Sequence, residues 1–293
     1  MPLCTLCPRA CSVDRTKTAG FCGEGGEVRL ARVGLHAWEE PCIAYGAGAG
    51  TIFFSGCNLG CVYCQNYAIS RGGKGKIVST RTLADEMLSL QEKGASCIDL
   101  VTPTHFTTQI VAALELVKPA LHIPVVWNSG GYERPETLRL LAGAVDIFLP
   151  DFKYVSPALA EAYSAVPDYF AVADKALKTM YDLVGYAVFD GEGHMTRGVL
   201  TRHLVLPGSA ADSIALLDHL AKTYDPARFA LSLMSQYFPT ENCRSHPKLG
   251  RRVTSLEYEK VVRHAGERGF LTGFTQERAS ASPAYVPAFD YDG

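Results

Sequence analysis

The 293-residue sequence contains no run of about 18 apolar residues, so it offers no membrane-spanning helix, and the N-terminal stretch MPLCTLCPRACSVD lacks the apolar core of a secretory signal. Both absences point to a cytoplasmic protein with no membrane partner. An excess of charge is lacking too: 28 lysines and arginines stand against 30 acids, and a net charge of -2 gives no general attraction to nucleic acid. Internal repeats and low-complexity tracts are absent, which sets aside a repeat architecture.

What the sequence does have is apolar residues and cysteine. With 47% hydrophobic residues the chain can bury a sizeable core, at a length that single α/β barrels reach. Ten cysteines would suggest disulfides in a small secreted chain. Here seven of them fall in two groups within the first 64 residues of a large chain without an export signal, and metal binding accounts for that better.

From residue 51 onward, apolar runs alternate with segments of helical period. TIFFSG (51–56), CIDLVTP (97–103), IPVVWNSGG (123–131), VDIFLPDFKY (145–154), GVLTRHLVLPG (198–208) and FALSLMSQYFP (229–239) read as strands. Helical segments such as TRTLADEMLSLQEKG (80–94) and SAADSIALLDHLAKTY (209–224) separate them. Strict alternation implies a parallel sheet with right-handed crossovers. Six units suggest an incomplete barrel or a doubly wound sheet; the expectation is an α/β fold of the partial (β/α)6 TIM-like barrel type, and in either case function is expected at the C-terminal ends of the strands. The expected organisation is a cysteine-rich N-terminal extension (1–45), the barrel (46–275) and a tail (276–293).

GCNLGCVYCQN (56–66) sits at the first of those strand ends and spaces its cysteines as Cys57-x3-Cys61-x2-Cys64. Thiolates suit zinc or iron-sulfur clusters, and a [4Fe-4S] cube held by three of them keeps one iron without a protein ligand. Two other readings stand beside it: a zinc site that borrows a distant fourth ligand, and three small hydrophobes under the sheet.

This loop, with Tyr63 directly before its last cysteine, resembles the cluster loop of the radical S-adenosylmethionine (radical SAM) superfamily. Together with CTLCPRAC, GFCG, EEPCI, VTPTHF and LPDFKY, it is similar to the PflX-like branch related to pyruvate formate-lyase activating enzymes. The resemblance implies that S-adenosylmethionine chelates the open iron. One electron, from a reductant such as flavodoxin or ferredoxin, would then yield a 5'-deoxyadenosyl radical that takes hydrogen from a protein or small-molecule substrate. It further implies that Cys57, Cys61 and Cys64 are cluster ligands, that Tyr63 lies against the adenine, and that Asp151 and Lys153 contact the cofactor.

Other strand ends supply further candidates. The related activating enzymes carry Gly-Gly-Glu-Pro after the second strand, where VTPTH stands here, so Thr102 and Thr104 are cofactor-binding candidates and His105 a catalytic one or a structural histidine. Asn128 and Ser129 precede two glycines, which allows close approach to a ligand or caps a helix. Arg202 and His203 on the fifth strand are further cofactor-binding candidates, followed by Gln236 and Tyr237 on the sixth. Glu39 and Glu40 precede Pro41 with no assigned role, and Cys42, Cys97 and Cys243 read as packing or loop residues.

Cys4, Cys7, Cys11 and Cys22 can close around a second centre, zinc or another [4Fe-4S] cluster, structural or electron-transferring. A protein of a different class also fits both cysteine groups: an iron-sulfur or zinc electron-transfer protein without SAM chemistry.

Overall fold

The computed structural model describes residues 3–276, 286–287 and 289–291. The first strand, β1 (Val28–His36), runs antiparallel to β2 (Ala49–Phe54) and carries a bulge between Leu30 and Arg32. After the one-turn helix α1 (Tyr67–Ser70), β3 (Lys76–Val78) pairs antiparallel with the outer side of β1. The barrel units follow: α2 (Thr80–Glu92), β4 (Ile98–Val101), α3 (Thr107–Val117), β5 (Val125–Ser129), α4 (Pro135–Leu138), β6 (Ile147–Pro150), α5 (Pro157–Ser164) and α6 (Tyr169–Val184). A short β7 (Val188–Phe189) pairs with β8 (Met195–Leu204), and α7 (Ala210–Thr223), β9 (Ala230–Met234), α8 (Ser255–Glu267) and β10 (Gly273–Thr275) complete the chain order.

The sheet runs β10-β9-β8-β6-β5-β4-β2-β1-β3, with every neighbour pair from β2 to β10 parallel. Parallel strands keep their chain order and never reverse, which is how a barrel wall is wound, whereas a doubly wound sheet changes direction at a switch point. The wall stays open between β3 and β10 among the described residues. All six expected strands are present, and β10 adds a seventh parallel one. β1 escaped the sequence reading although Val28, Leu30, Val33 and Leu35 recur as in a strand; it lies inside the segment expected to be an extension.

Period-two alternation sorts the strand residues into two environments. Ile52, Leu100, Trp127, Phe148, Val199 and Leu233 face the helices and join the main core with Leu83, Ile110 and Leu217. Cys42, Cys97, Val126, Leu149, Leu200 and Ala230 fill a second core on the inner side. Cys42 and Cys97 are therefore small apolar packing groups, as expected. Register aligns Val101 with Asn128, and an isolated bridge sets Asp151 beside Arg202.

Described residues of the C-terminal segment return to the sheet. Tyr291 donates its amide to the Ala31 carbonyl at 3.2 Å and its hydroxyl to Glu86 at 2.8 Å, and Phe289 packs edge-on against Phe53 with ring centres 5.6 Å apart. Among the described residues no helix is long and apolar enough to cross a membrane.

Candidate active site

At the end of β2 the chain passes through Ser55 and Gly56 into the three-cysteine loop. Gly56 has a left-handed backbone (φ +80°), and a β-carbon there would fall 2.6 Å from the Cys22 carbonyl and 2.5 Å from Glu24 Cγ, so only glycine fits. Each thiol of the loop is met by a hydrogen-bonding group: the Leu59 amide donates to Cys57 Sγ at 3.3 Å, the Ser70 hydroxyl donates to Cys64 Sγ at 3.4 Å, and Ser164 Oγ lies 2.9 Å from Cys61 Sγ. Burial, together with the neighbouring thiols, pushes the Cys57 thiol up to about 12 and raises Cys64. Three thiolates crowded here are unfavourable unless cationic iron offsets them, and the donors leave the sulfurs free to act as acceptors. The residues therefore suit a cluster.

The loop is held on both sides of Cys61 by the last turn of α5. Gly60 and Val62 donate their amides to the carbonyls of Ser164 (3.3 Å) and Tyr163 (2.9 Å). These carbonyls are among those that a helix C-terminus leaves without intrahelical partners.

Cys61, Tyr63 and Cys64 border a cleft whose inner wall carries Asn128, Asp151, Lys153 and Arg202, with Phe53, Leu204, Met234 and Pro287 as apolar lining. Arg202 lies at the centre of the polar group. Its Nε donates to Asp151 (3.1 Å), one terminal nitrogen to Glu39 (3.2 Å) and the other to Asn128 Oδ1 (2.6 Å), while Lys153 Nζ donates to Asp151 at 2.7 Å. Burial alone would raise Asp151, but Lys153 and Arg202 outweigh it and hold the carboxylate below its usual range. Burial raises Glu39, lifts Glu40 to about 7 and drives Asp99 well above the carboxylate range, with Arg202 opposing each.

The sequence candidates separate sharply. Cys61, Cys64, Tyr63, Asn128, Asp151, Lys153, Arg202 and Gln236 converge on the cleft. His203 does not: alternation turns it outward, where its ring nitrogens meet the Phe152 carbonyl (2.7 Å) and Ser213 Oγ (2.8 Å) beneath α7. Tyr237 is buried, with its hydroxyl on the Leu249 carbonyl. Ser129 accepts the Gly131 amide at 3.3 Å in a turn. Thr104 donates to buried Glu133 at 2.8 Å, and His105 lies under Gly56 with Nε2 at 2.6 Å from the Ser55 carbonyl. Burial lowers the His105 imidazole to about 3, so it stays neutral. Thr102 takes a left-handed backbone (φ 61°) while its amide donates to the Asn128 carbonyl at 2.8 Å, an unusual conformation for a β-branched residue.

The radical SAM superfamily model matches residues 51–220, more than half of the chain. The chain belongs to the radical SAM superfamily. An uncharacterised protein of Methanocaldococcus jannaschii is 30% identical over 268 residues, 88% of this radical SAM protein and 73% of that one. Among solved structures, Streptococcus suis SuiB bound to S-adenosylmethionine has a TM-score of 0.51 at 13% identity, covering 78% of this chain and 50% of SuiB. A spore photoproduct lyase variant has a TM-score of 0.52 at 12% identity, covering 76% and 74%. At these identities the likeness shows the barrel fold, and the chain spans only about half of SuiB. Membership of the superfamily implies S-adenosylmethionine and a [4Fe-4S] cluster, and radical SAM enzymes need a reductant and a substrate.

The second cysteine group packs against the first. The Phe21 amide donates to Cys11 Sγ at 3.2 Å, and a β-carbon on Gly20 would lie 3.5 Å from Cys22 Sγ and 3.6 Å from Cys11 Sγ, so its absence leaves both sulfurs a shared space. Among the described residues no three His, Cys, Asp or Glu side chains converge to hold a single metal ion. Arg9 and Arg71 both stack on one ring, their guanidinium carbons 3.7 and 4.6 Å from the centre of Phe21. Arg9 donates to the Asn58 carbonyl at 2.9 Å, and Arg71 to the carbonyls of Leu59 and Phe21. Neither arginine figured among the sequence candidates, although Arg9 lies between two cysteines of CPRAC. Cys243 is buried with its thiol 3.4 Å from the Val62 carbonyl, so it supports the cluster loop from below.

Proposed function

We propose that Cys57, Cys61 and Cys64 hold the [4Fe-4S] cluster, that its remaining iron takes S-adenosylmethionine, and that Tyr63, Asn128, Asp151, Lys153 and Arg202 line the cofactor's site. The observation that carries this reading is one loop with three thiols, each with its own hydrogen-bonding partner, of which Cys61 and Cys64 border the cleft that these side chains line. Ion pairing supports it: Glu39 and Asp151 balance Lys153 and Arg202, so the inner wall offers a fixed polar surface without excess charge of either sign.

When bound, the cluster and S-adenosylmethionine supply a 5'-deoxyadenosyl radical for hydrogen abstraction. The chain's own part is to orient and to exclude water. Arg202, Asp151 and Asn128 are held in one network, so they present fixed donors and acceptors. Phe53, Leu204, Met234 and Pro287 keep the adjoining wall apolar. Buried Lys153 keeps its proton because Asp151 outweighs the cost of burial.

The residues Cys4, Cys7, Cys11 and Cys22 form a second centre in this reading. Four thiols suit a second [4Fe-4S] cluster or a zinc tetrahedron; the cluster is preferred because the chain already needs an assembly route for one, and metal analysis separates the two. The PflX-like likeness favours a glycyl-radical-type protein or another polypeptide as substrate, with flavodoxin or ferredoxin as reductant. Residues 1–45, 46–275 and 276–293 then serve as metal-binding extension, radical SAM barrel and tail.

Anaerobic reconstitution followed by EPR tests the reading. The expected result is a reduced cluster signal that changes on addition of S-adenosylmethionine, together with 5'-deoxyadenosine after reduction. An unchanged signal and no 5'-deoxyadenosine would leave an electron-transfer protein instead.

A further inference from the structure

Cys61 Sγ lies 2.9 Å from Ser164 Oγ, Ser164 Oγ lies 2.9 Å from the Tyr154 hydroxyl, and Tyr154 donates to the Tyr63 hydroxyl at 2.6 Å. One sulfur and three oxygens thus form an unbranched chain from the cluster loop to the aromatic wall of the cleft. Ser164, Tyr154 and Tyr63 are all buried, so bulk water does not compete for these bonds. Among the described residues, the donors to Cys57 and Cys64 show no such continuation toward the cleft.

Each hydroxyl owns one hydrogen, so the direction of the chain is set at its end. With Cys61 as a free thiol, S–H donates to Ser164, Ser164 to Tyr154 and Tyr154 to Tyr63, the direction that the last pair shows. An iron-bound sulfur carries no hydrogen. Ser164 must then donate to it, Tyr154 to Ser164 and Tyr63 to Tyr154, and three O–H dipoles point toward one sulfur. Such chains polarise cooperatively in a buried, low-dielectric setting.

We propose that Ser164 is a positioning residue of the cluster: its hydroxyl, backed by Tyr154 and Tyr63, donates to the ligated Cys61 sulfur and makes the cluster easier to reduce. The inference rests on the assignment of Cys57, Cys61 and Cys64 as ligands. A donor on sulfur stabilises the more electron-rich reduced state over the oxidised one, and hydrogen bonds to the sulfurs are among the settings of cluster potential. The aim of the hydroxyl comes from the backbone, since the Ser164 and Tyr163 carbonyls accept the amides on either side of Cys61. Ser164→Ala leaves those two bonds in place.

The test is a potentiometric titration of the reconstituted full-length protein, followed through the EPR signal that Cys61→Ala abolishes, with iron content measured alongside. For Ser164→Ala the reduction equilibrium is expected to weaken about tenfold, or about 59 mV toward negative potential for one electron. Tyr154→Phe, which keeps the ring and removes the backing hydroxyl, is expected to shift it in the same direction by less. Unchanged potentials in both variants overturn the proposal. If Ser164→Ala fails to take up iron, Tyr154→Phe decides alone: a negative shift supports the chain and an unchanged potential overturns it. A signal that ignores S-adenosylmethionine in the unsubstituted protein overturns the functional reading instead, because the potentials still report the hydrogen bond.

Discussion

The backbone amide of Cys57 donates to the carbonyl of Cys22 at 3.1 Å, so the first cysteine of one loop is hydrogen-bonded to the last of the other. Around this bond, Arg9 and Arg71 tie carbonyls of both loops and share the Phe21 ring. The N-terminal cysteines are thus part of the wall that shapes the cluster loop.

Gly56→Ala tests that junction. The added methyl would meet the Cys22 carbonyl and Glu24 at a backbone angle that alanine resists. A loss of about 2 to 3 kcal/mol is expected in chemical denaturation, from strain and overpacking together. Iron uptake by both cysteine groups should fall with it; uptake and stability equal to the unsubstituted protein would show that the loops do not depend on each other.

Cys61→Ala is expected to abolish cleavage of S-adenosylmethionine and to leave the N-terminal centre measurable by metal analysis. Cys7→Ala should give the reverse loss of metal. Disappearance of both centres in either variant would mean one shared site.

Thr102→Gly addresses the left-handed residue at the end of β4. Removing a β-branched side chain there relieves about 1 to 2 kcal/mol of strain, and the extra freedom of an unfolded glycine takes back about 1 kcal/mol. Stability should be unchanged or higher by up to about 1 kcal/mol, with affinity for S-adenosylmethionine retained because the amide bond to Asn128 survives. Marked destabilisation would show that the threonine side chain itself is required.

Glu40 and His105 pull stability in opposite directions with pH. Folded Glu40 holds its proton up to about 7 against 4.5 for an unperturbed glutamate, so between those values the folded state binds the extra proton and stability falls as pH rises. The window corresponds to about 3 kcal/mol at most. His105, lowered from 6.5 to about 3, contributes stability that grows as pH rises through that interval. Comparing urea midpoints of Glu40→Gln with the unsubstituted protein cancels the histidine. The variant should gain relative stability from pH 5 to pH 7; a constant difference would mean that Glu40 titrates as an exposed carboxylate does.

Much of the fold was legible because its signals are local. Apolar runs, five of them ending in glycine or proline, marked all six expected strands, and the cysteine spacing marked the loop at the end of β2. Alternation also carried information that reading residue by residue overlooked: Arg202 and His203 are consecutive on β8, so only one of them can face the cleft, and it is Arg202.

By itself, then, the sequence determined an α/β barrel with two cysteine groups and one strand-end loop short of a fourth ligand, since period and spacing depend only on neighbours along the chain. Tertiary structure alone decided what surrounds the sulfurs. Ser164 is 103 residues from Cys61 and has no motif of its own, yet the last turn of α5 places it there. Arg202 draws together Glu39, Asn128 and Asp151 from separate segments in the same way. Such contacts follow from strand order and register, which bring distant residues into one layer, and no local pattern records that.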